Sequence, residues 1–415
     1  MIKLRHNVLF CLLRPAFRLY LKNAYHYHAQ PAPDLPPGQP VLILANHNCA
    51  MDPFMLSISF RRPIFFVASD HIFRLGIVSS IIRFLVAPIP IVKSQIDLRT
   101  IRTIMSVMKD GGAVCLFPEG NRSFNGRTGW FPPSTGKLVR QLKSTVLIYR
   151  YEGGYMSFPR WALYKRKGLM QGRVVRQIEP DQLAEMTPEA INEIIRQDLS
   201  LDAFAEQRSD RRVRYHGKRL AEALERALFV CPKCGRLATL HSCEDRFFCS
   251  CGLAVRYDEF GFFQPDDPWT AQQQRDGAFL DTVAAWDDWQ KQALIAMLDE
   301  PEKIDLTGNQ PIFTDEGETL FNCVRARRSI KLGEGRLMLF ADRLSFVIQQ
   351  GLKEFPLQQI SRVIVHGPQT LQFTTTESQV FEFRSKSKRS AYKYVLLFNL
   401  LQQKRKGEPH GFFGI

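Results

Sequence analysis

Apolar residues along the first half of the chain alternate between two spacings. Val41–Ala45, Ile64–Val67, Val114–Phe117, Thr145–Tyr149 and residues 172–178 form short continuous runs of strand type. Residues 72–87, 97–109 and about 188–207 carry apolar positions at helical spacing. Such alternation predicts an α/β core with a mainly parallel sheet, because parallel strands need helical crossovers. Asp110-Gly-Gly112 is a helix stop ahead of the Val114 strand. Asp52-Pro53 fits a helix start, with Asp as cap and Pro tolerated in the first turn.

The spacing changes further on. Leu220, Leu224 and Leu228 recur every four residues and predict a helical stripe, and Trp286, Trp289, Ala293 and Met297 predict one side of another helix. From about residue 325, short strands follow one another: 337–340, 344–348, 363–365, 371–374 and 380–383. A last helix is predicted over about 388–402. Several antiparallel strands closed by one helix predict an all-β barrel, similar to a pleckstrin-homology domain.

Composition adds a direction. The net charge is +15 and the pI about 9.5, which favours an anionic partner: a membrane surface, a phosphorylated substrate or nucleic acid. Residues 1–33 contain Lys3, Arg5, Arg14, Arg18 and Lys22 with no acidic residue, beside Leu9, Phe10, Leu12, Leu13, Phe17, Leu19, Tyr20 and Leu21. A basic amphipathic helix of this kind suits the headgroup layer of an anionic leaflet. Val8–Leu21 and Leu75–Val92 are interrupted by Arg or Pro and fall short of a membrane span. Residues 208–219 are also strongly basic and read as an exposed linker, and Lys386, Lys388, Arg389, Lys404, Arg405 and Lys406 near the end are candidates for headgroup contact.

Of nine cysteines, five fall within residues 231–251. Clustering of this kind favours a metal site in a reducing compartment over a disulfide framework. Cys231-Pro-Lys-Cys234-Gly235 and Cys249-Ser-Cys251-Gly252 resemble the two knuckles of a zinc ribbon. Cys231, Cys234, Cys249 and Cys251 are the expected ligands of a structural zinc, with His241 and Cys243 as possible substitutes for the shorter second knuckle. Four protein ligands leave no open position for catalysis.

The chemistry gathers in two stretches. Val41–Asp52 runs from an apolar strand into Asn46-His47 and ends at Asp52; Gly112–Ser123 runs from an apolar strand into Glu119-Gly120-Asn121-Arg122. On one continuous helix His47 and Asp52 would lie about 140° apart. They meet only if His47 ends the strand and Asp52 opens the next helix. A His held by a carboxylate is the minimal base for deprotonating a hydroxyl, and a guanidinium suits a phosphate. Cys49 and Cys115 lie beside the motifs and are candidate nucleophiles, but their apolar settings read as core.

His47-x4-Asp52 followed by Phe117-Pro-Glu-Gly-Asn-Arg-Ser123 closely resembles the HX4D and FPEGTRS motifs of the lysophosphatidate and glycerol-phosphate acyltransferases, with six of seven positions matched in the second and Asn121 in place of Thr. The resemblance implies a glycerolipid acyltransferase, associated with the cytoplasmic face of the cell membrane in a peripheral or monotopic manner. It implies His47 and Asp52 as catalytic residues, and Glu119, Gly120, Arg122 and Lys93 as substrate-binding residues. Lys93 stands where the family most often has Arg. The implied reaction moves a fatty acyl group from acyl-CoA or acyl carrier protein to the free hydroxyl of 1-acyl-glycerol-3-phosphate, giving phosphatidate. Glycerol 3-phosphate, another lysophospholipid or a glycolipid are alternative acceptors. A zinc-ribbon nucleic-acid binder or a membrane adaptor is the rival class; both leave the paired motifs unexplained, so nucleic acid is not expected as a partner.

The expected organisation is an amphipathic membrane-associating segment (1–33), an acyltransferase domain (34–207), a basic helical linker (208–228), a zinc-ribbon-like module (229–263), a helical linker (264–324) and a pleckstrin-homology-like β domain (325–405).

Overall fold

The computed structural model describes residues 4–69, 72–73, 77–91, 98–209, 212–324, 329–349 and 351–407. It divides into two compact units, one built from residues up to 159 together with 166–216, the other from 160–165 together with 217–407.

The first unit is built on a seven-stranded sheet of β1 (Tyr27–Ala29), β2 (Val41–Ala45), β3 (Ile64–Ser69), β4 (Ile89–Ile91), β5 (Ala113–Leu116), β6 (Thr145–Glu152) and β7 (Met170–Ile178), in the order β1-β7-β6-β2-β5-β3-β4. β2 pairs in parallel with β5 and β6, β3 in parallel with β5 and β4, and β7 is antiparallel to β6. The sheet is therefore mainly parallel, as the alternation predicts. Every residue of β2 is buried, which explains its unbroken apolar run.

Its side chains alternate between two cores. Ile43 and Ala45 join Cys115, Leu147, Tyr149 and Tyr151 under α1 (Leu4–Tyr25) and α2 (Asp52–Ser57). Leu42 and Leu44 join Val114, Leu116, Val146 and Ile148 on the other face. That face is covered by α4 (Leu98–Lys109), α5 (Ser134–Leu142) and α8 (Pro188–Leu199), counting α3 (Ile77–Val86), α6 (Gly154–Ser157) and α7 (Pro180–Glu185) in chain order. The helix expected over 188–207 is broken at residues 200–202, where the Asp202 carboxylate caps a separate helix, α9 (Ala203–Arg208), by accepting from the N–H of Phe204 and Ala205. The stop at Gly111 is real: it adopts a positive φ of 73° and the Gly112 N–H returns to Val107 O.

α1 is anchored to its own unit. Leu21, Tyr25 and His6 are buried, Phe17 stacks on Phe54 at 5.2 Å, and the Arg14 guanidinium donates to Ile58 O. Leu4, Val8, Leu12 and Leu19 stay exposed. They fall within an arc of about 80° on the helix. No helix among the described residues is long and apolar enough to cross a membrane.

The second unit holds a four-stranded antiparallel sheet, β8 (Leu240–Cys243), β9 (Arg246–Cys249), β10 (Ala254–Tyr257) and β11 (Phe263–Pro265). Two helices follow, α10 (Pro268–Arg275) and α11 (Val283–Met297). Then comes a separate all-β segment of seven antiparallel strands, β12 (Phe313–Asn322), β13 (Ile330–Leu339), β14 (Arg343–Ile348), β15 (Gly351–Pro356), β16 (Ile360–His366), β17 (Thr370–Thr375) and β18 (Val380–Ser385), ordered β15-β14-β13-β12-β18-β17-β16. α12 (Tyr392–Lys406) closes it.

Several expectations are corrected here. Leu220, Leu224 and Leu228 are buried, but no α-helix forms around them: the segment is a series of turns, with Ala223 at a positive φ of 72°. The buried face of α11 carries Trp286, Gln290, Leu294 and Met297, with Trp289 and Ala293 only half-buried. The β segment begins at Phe313, before the expected boundary at 325, because Gly317 and three acidic residues in β12 hide its strand character. Arg389 is not a headgroup contact. It is buried and makes a two-pronged ion pair with Glu318. Lys388, Lys386 and Lys404 form ion pairs with Glu222, Glu334 and Asp299 but remain partly exposed, unlike Arg389.

Candidate active site

β2 and β5 run side by side in register, Leu44 opposite Leu116, and both polar clusters emerge from their carboxyl ends. Such ends collect ligand-binding groups in parallel sheets. Past Ala45 the chain leaves the ladder and turns into α2. His47 Nδ1 lies 2.8 Å from Asp52 Oδ2. The turn that joins them is closed by the same oxygen, which also accepts the N–H groups of Asn48 at 2.7 Å and Cys49 at 2.9 Å. Asp52 therefore does not cap its helix, as its position before Pro53 suggests. Its carboxylate points back into the preceding turn, and the cap position falls to Met51, without a side-chain bond.

Asp52 is fully buried, while the His47 side chain keeps 22% of its surface exposed. Phe117 stacks against the imidazole at 4.4 Å. With Nδ1–H directed at a carboxylate, Nε2 carries the lone pair.

Glu119 lies beneath this turn. Its Oε1 accepts the backbone N–H of His47 at 2.9 Å and its Oε2 accepts that of Gly129 at 2.6 Å. Burial pushes its carboxyl up to about 8, against the pull of those two N–H groups. Gly120 turns the chain at a positive φ of 65°, its N–H returning to Phe117 O. Arg122 lies near enough to Cys49 and Asp52 for them to raise its affinity for its proton, which burial lowers. His47, Asp52, Glu119 and Arg122 thus share one cluster. Lys93 lies outside the described residues.

The two thiols beside the motifs are fully buried. Burial pushes Cys49 up to about 12 and Cys115 well above the usual thiol range, with Asp52 adding to both. Neither forms a thiolate near neutral pH.

Three features escaped the sequence reading. The Asn46 amide exchanges two hydrogen bonds with the backbone of Tyr151 on β6. The Tyr151 hydroxyl donates to Asp52 O at 2.6 Å. Behind them the Tyr27 and Tyr149 hydroxyls meet at 2.7 Å, with Ser59 Oγ at 2.7 Å from Tyr149. Gly172 makes room for this trio: a Cβ there would fall 2.0 Å from the Tyr27 hydroxyl. Alternating tyrosines at 149 and 151 on a buried strand were the available signal.

In the second unit, the Sγ atoms of Cys231, Cys234, Cys249 and Cys251 all lie within 4.8 Å of one another. Gly235 and Gly252 follow the two knuckles with positive φ of 68° and 90°. The missing residue of the second knuckle does not pull its thiol away. Cys243 and His241 are exposed on β8 and are not part of the cluster, so neither substitutes for a ligand.

Residues 27–151 match the family model described as Acyltransferase. The first unit thus carries an acyltransferase domain, and its relatives are of the lysophosphatidate type. A curated relative, the 1-acyl-sn-glycerol-3-phosphate acyltransferase of Borreliella burgdorferi, is 26% identical over 116 residues, or 28% of this chain. The match spans 46% of that relative's length. Among solved structures, the lysophosphatidate acyltransferase PlsC of Thermotoga maritima is similar at 18% identity and a TM-score of 0.38, over 46% of this chain and 79% of the other. The N-terminal PH domain of human ARAP2 is similar at 16% identity and a TM-score of 0.19, over 24% of this chain and 87% of the other.

Proposed function

We propose that the chain transfers a fatty acyl group from acyl-CoA or acyl carrier protein to the free hydroxyl of 1-acyl-glycerol-3-phosphate, giving phosphatidate. The observation that carries this reading is the 2.8 Å His47–Asp52 pair at the end of β2, with Arg122 close enough for Asp52 to act on its charge. His47 Nε2 takes the proton of the acceptor hydroxyl as its oxygen attacks the thioester carbonyl. Asp52 fixes the tautomer and stabilises the imidazolium. The tetrahedral adduct collapses, the C–S bond breaks, and the departing thiolate receives the proton from His47. Arg122 holds the acceptor phosphate, with Lys93 assisting. Glu119 holds the turn. No acyl-enzyme is required, since the thioester is already activated, and the buried thiols agree.

The same reading places the first unit on an anionic lipid surface at the cytoplasmic face. Support comes from the exposed apolar stripe of α1 and from Ile77, Ile81 and Phe84 exposed on α3, with Arg5 over the Phe84 ring at 4.9 Å. Neither helix contains an acidic residue.

The cysteine cluster is proposed to hold one structural zinc. Tetrahedral zinc with Zn–S of about 2.3 Å sets sulfur atoms about 3.8 Å apart. The Cys231–Cys251 and Cys234–Cys249 distances are 3.6 and 3.8 Å.

The test is purified protein with labelled acyl thioester and a panel of lysolipids, glycerol 3-phosphate included, with products read by mass. Phosphatidate formation that disappears in His47→Ala is expected. Transfer that persists in that variant overturns the assignment. Transfer to another acceptor alone moves the substrate and leaves the chemistry standing.

A further inference from the structure

The catalytic turn is suspended between two strands by side chains rather than by backbone. β2 pairs with β6 up to Ala45 opposite Tyr149, and the ladder would next engage residues 46 and 47. Instead the chain peels away, and the Asn46 side chain takes over the pairing. Its Nδ2 donates to Tyr151 O at 3.0 Å and its Oδ1 accepts the Tyr151 N–H at 2.8 Å. A carboxamide carries the same donor and acceptor as a peptide group, so one buried side chain completes the ladder. This releases the backbone of His47 to reach Glu119 on the opposite side. It also releases Asn48 and Cys49 to close on Asp52. Tyr151 ties the arrangement together: its backbone holds Asn46 while its hydroxyl holds Asp52 O. Asn46 is fully buried, and the Asn48 Nδ2 makes only a longer contact of 3.4 Å to the same carbonyl.

We infer that Asn46 is a positioning residue for the base, acting through Tyr151 to hold the His47–Asp52 geometry. The inference rests on the acyl-transfer reading for its kinetic consequence, but not for its structural one. Ala at position 46 removes both bonds, leaving the buried Tyr151 N–H without its acceptor and the C=O with only the 3.4 Å contact from Asn48 Nδ2. The turn then relaxes toward Tyr151, and His47 drifts from Asp52. Misplacement of a catalytic group slows the chemical step more than it weakens binding.

The test compares wild type, Asn46→Ala, Asn46→Asp and His47→Ala, each as full chain. Asn46→Ala is expected to lower kcat at least about tenfold with KM for both substrates nearly unchanged. It is also expected to lose the low-field proton resonance of the His47 Nδ1–H, assigned by its absence in His47→Ala. Asn46→Asp keeps the acceptor for the Tyr151 N–H and loses the donor, so its kcat should fall between the two. Unchanged kcat and resonance with a lowered Tm would reduce Asn46 to a packing residue and overturn the inference. So would failure of both Asn46 variants to fold. If wild type transfers no acyl group, the functional reading falls, and the resonance still decides: lost in Asn46→Ala, positioning holds; retained, it does not.

Discussion

Glu119 Oε1 accepts the backbone N–H of His47 at 2.9 Å, joining residues 72 positions apart. The bond makes the second motif a support for the first: the acid of Pro118-Glu119-Gly120 fixes the turn that carries His47. Glu119→Gln keeps one acceptor and sets an NH2 group against the other N–H. We expect kcat to fall at least about tenfold with little change in KM. A pH signature should accompany it. The folded carboxyl titrates near 8, well above the ordinary value, so between about 4.5 and 8 the native state binds more protons than the unfolded one. Stability from Glu119 is therefore present below that window and is lost as pH rises through it, with a slope of at most about 1.4 kcal/mol per pH unit. Urea midpoints at pH 5.5 and 8.5 check this: the decline should be shallower in Glu119→Gln.

Asp52 Oδ2 serves three donors at once, which couples the orientation of the His47 imidazole to the fold of the turn. Asp52→Asn can keep an oxygen at the Oδ2 position for all three donors, but it removes the negative charge that stabilises the imidazolium. Proton transfer to His47 Nε2 then builds a positive charge with no carboxylate beside it. Steady-state kinetics should show kcat lower by about 10²–10⁴-fold. Activity within twofold of wild type would remove Asp52 from the mechanism.

The sequence exposed the parts of this site that carry chemistry and concealed those that hold it. His47, Asp52 and Arg122 are rare residue types at strand ends, so they stand out against the apolar runs. Asn46 and Tyr151 work through backbone groups, and a residue whose partner is a peptide bond leaves no pairing in the sequence. The mainly parallel sheet was legible because buried strands read as unbroken apolar runs. The turns over 217–228 were not, because buried leucines at four-residue spacing fit a turn series as well as a helix. Nor was the fate of the late basic residues: Arg389 looks like any surface cation until Glu318 on a distant strand accepts it.

Cys49 and Cys115 give a clean negative prediction. Both thiols are fully buried and held in the protonated form. Cys49→Ala and Cys115→Ala should each retain acyl transfer within about threefold, with a stability loss of about 1–2 kcal/mol from the removed sulfur. An iodoacetamide-sensitive native activity that vanishes in Cys49→Ala would instead demand an acyl-thioester intermediate.

Metal analysis should find one zinc per chain, and Cys234→Ser or Cys249→Ser should abolish it. Ligand loss should lower the Tm of the second unit, because binding energy at such a site is folding energy. Cys243→Ser, which alters an exposed thiol outside the cluster, should change neither zinc content nor Tm. Zinc retained in Cys234→Ser would contradict the ligand set.

The ion pair between Arg389 and Glu318 allows a sharper test of the second unit. Both Glu318 oxygens accept from the guanidinium at 2.6 and 2.7 Å, and neither side chain reaches solvent appreciably. Asp315 lies alongside, accepting from Lys393 at 2.8 Å and from the Tyr394 hydroxyl at 2.6 Å, so the start of α12 is fastened to β12 by buried charge. Removing one partner strands the other: Arg389→Met should destabilise the unit by about 3–5 kcal/mol. Replacing both, as Arg389→Met with Glu318→Leu, should recover most of that loss, because two desolvated charges are exchanged for apolar contact. A double-mutant cycle by urea denaturation reads the coupling directly. Additive losses in the double variant would mean that the two residues hold the strand and the helix independently.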